Sequence, residues 1–182
     1  MNVGLFFGSF NPIHIGHLAI ANYIVEFSDL DQVWFMVTPQ NPDKPQSTLL
    51  ADHHRYEIVF RVVSEYPKFK ASNFEFSLPR PSYTINTLTH LNEKYPGITF
   101  TLIMGTDNLE GLPKWKNYQQ ILENYRIFAY PRPNSDGGEL RNNPNVKIVN
   151  APLMEISSSF VRQSIKEKKD IRYFLPAPAW KY

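Results

Sequence analysis

The chain has 182 residues, with 19 Lys and Arg against 17 Asp and Glu, for a formal net charge of +2. That length fits one domain able to bury its own core, and a charge so nearly balanced excludes the basic coat that grips nucleic acid. There is no cysteine, which excludes disulfides, thiolate metal sites and a cysteine nucleophile, and accords with the cytoplasm.

Val3 to Phe7 is a short apolar run ahead of a glycine, which predicts a buried strand and lacks the cationic start of a signal peptide. Ile15 to Phe27 is apolar on several sides and predicts a well-buried helix. Val33 to Val37 predicts a second buried strand. Prolines at 39, 42 and 45 make 38–50 a long loop. Asp52 is placed to cap a helix with Tyr56, Val59, Phe60 and Val63 on one face. A strand is expected over Phe69 to Phe76, and Ser82 is placed to cap a helix carrying Ile85 and Leu88. Ile98 to Met104 predicts a strand, Tyr118 to Glu123 a short helix, and Arg126 to Tyr130 another strand. Residues 131–144 are rich in Pro, Asn, Gly and Ser and read as a loop. Val146 to Val149 is the last strand expected and Ser159 to Lys168 the last helix, followed by a proline-bearing tail. Strands alternate with helices throughout. The fold class is therefore α/β, a mostly parallel sheet with helices on both faces, in a single domain over 1–182. Ligands of such sheets bind beyond the carboxyl ends of the strands. No stretch approaches the roughly 20 apolar residues of a membrane span.

Gly8-Ser9-Phe10-Asn11-Pro12-Ile13-His14-Ile15-Gly16-His17 joins the first strand to the first helix. His14 and His17 are three apart at a helix start, so both rings can face one spot. Free N–H groups and the helix dipole favour an anion there. Gly8 permits close backbone approach, and Gly16 leaves room for a ligand. The plainer reading is a helix cap with two surface histidines. Near the other end, Ile156-Ser157-Ser158-Ser159-Phe160-Val161-Arg162 opens the last helix. Ser157 or Ser158 can cap it. Arg162 close to the helix start opposes the dipole at about 0.3–1 kcal/mol, and a bound polyphosphate reverses that sign.

These two segments resemble the His-x-Gly-His and Ile-Ser-Ser-Thr/Ser-x-x-Arg signatures of the His-x-Gly-His nucleotidyltransferase superfamily, whose fold is Rossmann-like. The resemblance implies that His14 and His17 hold the triphosphate of ATP and that the serine–arginine segment grips its β- and γ-phosphates. Gly105-Thr106-Asp107-Asn108-Leu109, then Lys114-Trp115, together with Ser82-Tyr83-Thr84 and Thr87, resemble the bacterial nicotinate mononucleotide adenylyltransferases. The similarity extends to Ile171–Pro176 in the tail.

That resemblance implies two sets of residues. Gly8, Ser9, Phe10, His14, Gly16, His17, Gly105, Asp107, Ser157, Ser158 and Arg162 would bind ATP, with His14 and His17 the catalytic pair. Asn41, Lys44, Thr84, Trp115 and Arg132 would bind the mononucleotide. Trp115 offers a face for a cationic pyridine ring, and the start of the Thr84 helix offers N–H groups for its carboxylate. The expected products are deamido-NAD and pyrophosphate. The attacking phosphate is already an anion, so no general base is needed, and the histidines are expected in their charged form beside phosphate. Magnesium is expected to arrive on ATP rather than in a protein cage. Nicotinamide mononucleotide or phosphopantetheine as acceptor, a nucleotide-binding module without chemistry, and a homo-oligomeric state stay open.

Overall fold

The computed structural model describes residues 1–39 and 49–182. Asn41 and Lys44 lie outside the described residues. Among the described residues, six strands form one sheet: β1 (Asn2–Gly8), β2 (Gln32–Val37), β3 (Phe69–Ser72), β4 (Thr99–Gly105), β5 (Arg126–Tyr130) and β6 (Val146–Ile148). Their order is β3-β2-β1-β4-β5-β6, and every pairing is parallel. This is the Rossmann order expected from the alternating pattern. Parallel strands need crossover connections, and the helices α1 (Ile15–Glu26), α2 (Asp52–Val63), α3 (Thr84–Lys94), α4 (Thr106–Gly111), α5 (Tyr118–Asn124) and α6 (Ser158–Lys166) supply them or pack beside them.

Side chains alternate across a strand, so each strand feeds two cores. Phe6, Phe35 and Phe128 point to one face, where they meet Ile20, Ile24 and Val59. Leu5, Trp34 and Leu102 point to the other, against Leu88, Leu91 and Ile121. Burial on both faces is why these strands read as continuous apolar runs rather than alternating ones.

Several local expectations are corrected. The buried face of α2 holds Arg55, Ile58, Val59 and Val63, while Phe60 is exposed. Ala51 is its N-cap, and Asp52 instead bonds Arg55 and Arg80. The strand expected to reach Phe76 stops at Ser72, and a 3-10 turn over Phe74–Ser77 turns Glu75 inward. Tyr83 rather than Ser82 occupies the N-cap of α3. Two helices were not foreseen: α4, whose six residues are too few to show a period, and α7 (Ala177–Lys181) in the tail, with a proline in its first turn where the lost N–H costs nothing.

The chain leaves β1 towards β2 on one side and leaves β4 towards β5 on the other. That reversal opens a crevice beyond the carboxyl ends of β1 and β4. Both strands end in glycine there, Gly8 and Gly105.

Candidate functional site

The loop after β1 delivers His14 and His17 through an unusual helix start. His14 is the N-cap of α1, and its Nδ1 accepts the Gly16 N–H at 3.1 Å. His17 lies three residues on, and its Nδ1 accepts the His14 N–H at 3.1 Å. This is a capping box in which histidines do what Ser and Glu ordinarily do. With Nδ1 engaged as acceptor in each ring, the neutral proton is assigned to Nε2 in each. The two rings stack at 3.7 Å between centroids, 22° from parallel. Phe10, itself buried at φ +46°, sets its ring edge-on against His17.

Burial first, and then the Arg132 cation, push His14 down to about 4. Burial, His14 and Arg132 push His17 well below the ordinary imidazole value. Without a phosphate beside them, burial and Arg132 favour the neutral imidazoles, each with an Nε2–H donor. Gly16 lines the same cleft as the two rings, and a Cβ there would also meet the His14 ring at 2.9 Å. Its small size makes room for the imidazole.

The two rings line a cleft of about 210 Å³ with Asp107, Asn108, Tyr130, Arg132, Ser157 and Ser158. Ser157 caps α6 by accepting the Phe160 N–H at 3.1 Å, and Ser158 Oγ donates to the Pro12 carbonyl at 2.9 Å. The second signature is thereby tied to the loop of the first. Arg132 enters from the end of β5. Its Nη1 donates to the Met154 carbonyl at 3.2 Å, and its Nε lies 4.0 Å from the Asp107 carboxylate. A Cβ on Gly105 would sit 2.5 Å from Asp107 Oδ1 and 2.7 Å from Arg132 Cγ, so this glycine lets both approach. Tyr130, pushed up to about 12 mainly by burial, stays a neutral phenol.

A second cavity of about 560 Å³ adjoins the first, with Asn108 lining both. Thr84, Tyr83 and Ser82 come from the start of α3, Lys114, Trp115 and Lys116 from the segment after α4, and Gly8, Ser9 and Thr38 from the ends of β1 and β2. The N-cap of α3 makes no side-chain bond and its first turn holds no acid, so its first N–H groups lack a partner from within the helix.

The sequence-derived residues are thus partly regrouped. His14, Gly16, His17, Asp107, Ser157 and Ser158 come together as expected. Arg132, expected beside Trp115, lies in the histidine cleft instead. Gly8 and Ser9 line the Trp115 cavity. Arg162 lines neither. Its Nη1 donates to the Asn11 carbonyl at 2.8 Å, beside a separate cavity of about 920 Å³ near α7. It props the histidine loop from behind.

Arg55 was missed. Its side chain is fully buried and donates to the carbonyls of Ser9 at 2.7 Å, Thr38 at 2.8 Å and Leu50 at 2.8 Å. It binds the ends of β1 and β2 to α2 and so fixes two walls of the second cavity. Its signal was its spacing, three and four residues before Ile58 and Val59, a core position filled by a cation. Arg55→Met would leave these carbonyls buried and unpaired. It is expected to destabilise the fold by about 3–5 kcal/mol, read as a shift in the denaturant midpoint.

The cytidylyltransferase-like family matches residues 5–164. A Flavobacterium psychrophilum protein described as "Probable nicotinate-nucleotide adenylyltransferase" is 54% identical, covering 100% of this chain and 95% of its own length. One from Cytophaga hutchinsonii with the same description is 51% identical, over 96% and 91%. The solved nicotinic acid mononucleotide adenylyltransferase of Plasmodium falciparum in complex with NaAD superimposes with a TM-score of 0.80 at 22% identity, covering 95% of this chain and 88% of that one, a likeness of fold. With a family match over most of its length and full-length relatives at half identity, the chain belongs to the cytidylyltransferase-like family, among the nicotinate-nucleotide adenylyltransferases.

Proposed function

We propose that the two adjoining cavities divide one adenylyl transfer between them, the histidine cleft taking the triphosphate of ATP and the Trp115 cavity taking nicotinate mononucleotide. A 5′-phosphate oxygen of the mononucleotide attacks the α-phosphorus of ATP. The bond from that phosphorus to the bridging oxygen breaks, giving deamido-NAD and pyrophosphate. The observation that carries this reading is the double-histidine cap, which turns two neutral Nε2–H donors into a cleft at a helix N-terminus. Such donors need no reorganisation as charge moves onto the leaving oxygens. Arg132 adds the positive charge that the histidines lack. Ser157 and Ser158 add hydroxyls and the start of α6. Trp115 offers its face to the pyridine ring, and the first turn of α3 offers N–H groups to the ring carboxylate. No general base is required.

Magnesium carried on the triphosphate supplies further charge neutralisation. Among the described residues, no group of three metal-ligating side chains stands together, and Asp107 is the one carboxylate lining the cleft. These residues fit a metal that arrives with ATP better than a resident one. No described helix is long and apolar enough to cross a membrane; a place in the cytoplasm, where ATP is at hand, goes with this reading.

The test is pyrophosphate release from ATP and magnesium with nicotinate mononucleotide, nicotinamide mononucleotide and phosphopantetheine in parallel. Release is expected with nicotinate mononucleotide. Release with phosphopantetheine alone, or with none of the three, would overturn the reading.

A further inference from the structure

Among the described residues, two buried side-chain oxygens have no hydrogen-bond partner, Oε1 of Glu75 and Oγ of Ser82. Both residues line the Trp115 cavity. Buried polar atoms nearly always find a partner, so orphans call for an explanation. Two orphans in one cavity mark a place for the polar atoms of a ligand.

Glu75 is only 2% exposed. The 3-10 turn after β3 brings it under α3, where its Oε2 accepts from Thr87 Oγ1 at 2.5 Å. Thr87 is fully buried, so this bond fixes the carboxyl beneath the first turn of the helix. Ser82 stands immediately before the N-cap of that helix. The two orphan oxygens therefore flank the free N–H groups of α3. No cation pairs with Glu75 among the described residues, and the lysines of the cavity, Lys114 and Lys116, come from a different segment. Lys116 lies over the Tyr83 ring at 4.7 Å. Burial pushes the Glu75 carboxyl up, and the Thr87 hydroxyl only partly offsets it. A shift in this direction favours the protonated carboxyl, the form that donates.

We propose that Glu75 and Ser82 select the acceptor: as hydrogen-bond donors beside the first turn of α3, they favour a ring carboxylate over a ring carboxamide. Carboxyl O–H, hydroxyl O–H and helix N–H groups are all donors. A carboxylate offers only acceptors and complements the set. A carboxamide presents an NH₂ group that uses none of these donors, a mismatch of the kind that yields discrimination. An ionised Glu75 would repel the carboxylate instead. The inference rests on the reading that this cavity holds the pyridine ring.

The experiment measures kcat/KM for nicotinate and for nicotinamide mononucleotide at saturating ATP, and takes their ratio. The ratio is independent of the folded fraction and of the ATP half of the site. Glu75→Leu is expected to lower it about tenfold or more, and Ser82→Ala about threefold or more. Glu75→Gln keeps a donor and is expected to stay within about threefold of wild type. An unchanged ratio in Glu75→Leu or in Ser82→Ala would overturn the proposal. So would a loss in Glu75→Gln as deep as in Glu75→Leu, which would make Glu75 an anion. Should Glu75→Leu fail to fold, Ser82→Ala and Glu75→Gln decide. A wild-type enzyme using both mononucleotides equally would refute acceptor selection and leave adenylyl transfer standing. One that used neither would refute the transfer itself.

Discussion

Replacement of His17 by alanine is expected to lower kcat by about 10²–10³-fold, the range for losing one preorganised donor to developing charge. The variant also loses the acceptor of the His14 N–H, so part of the loss is structural. Two further replacements separate the effects. Asparagine can place its side-chain oxygen near the position of Nδ1 and restore the cap, but it does not reach the position of Nε2. Glutamine reaches that donor position and abandons the cap. His17→Asn should therefore recover most of the thermal stability and little turnover. His17→Gln should recover more turnover than stability. Pyrophosphate release and thermal melting read the two properties. Near-normal turnover in His17→Ala would sink the assigned role.

Arg132→Ala is expected to lower kcat/KM for ATP by about 10²–10³-fold. It also makes a prediction that needs no substrate. Arg132 is the second cause, after burial, of the low His14 value of about 4. Removing a positive neighbour favours the charged imidazole, so His14 should titrate higher, moving from about 4 towards the ordinary value of 6.5 without reaching it, because burial persists. NMR titration of the His14 ring checks this. Arg132→Lys keeps the charge but loses the planar fork, so His14 should stay low while turnover still falls. Turnover within about threefold of wild type in Arg132→Ala would remove Arg132 from the machinery.

The sheet was legible in the sequence because strands buried on both faces leave continuous apolar runs, and Arg126–Tyr130 was found to the residue. The histidine pair was legible from residue type, spacing and its place between a strand and a helix. Its chemistry was not. Reading His14 and His17 as cap or as ligand treated the two as rivals, whereas Nδ1 does the first job and Nε2 is left for the second. That Arg132 lines the histidine cleft was not legible, because chain order shows which strand it follows but not which neighbouring loop it leans towards. Arg55 was hidden because an arginine on a helix ordinarily marks the wet side. Glu75 was hidden because a turn too short for any period ended β3 early. For Arg132, Arg55 and Glu75 the missing information is a contact across 12 to 46 residues of chain, such as Glu75 with Thr87 or Arg55 with Ser9.

The burial that favours neutral imidazoles bears, under the proposed transfer, on the end of the turnover cycle. An anion held by two uncharged dipoles departs more readily than one held by two fixed cations. In the histidine cleft only Arg132 carries a permanent positive charge among the described residues. If the cleft holds the triphosphate as proposed, pyrophosphate would have one ionic tether to shed there, whereas a site that clamped it with three charges would risk becoming its own inhibitor.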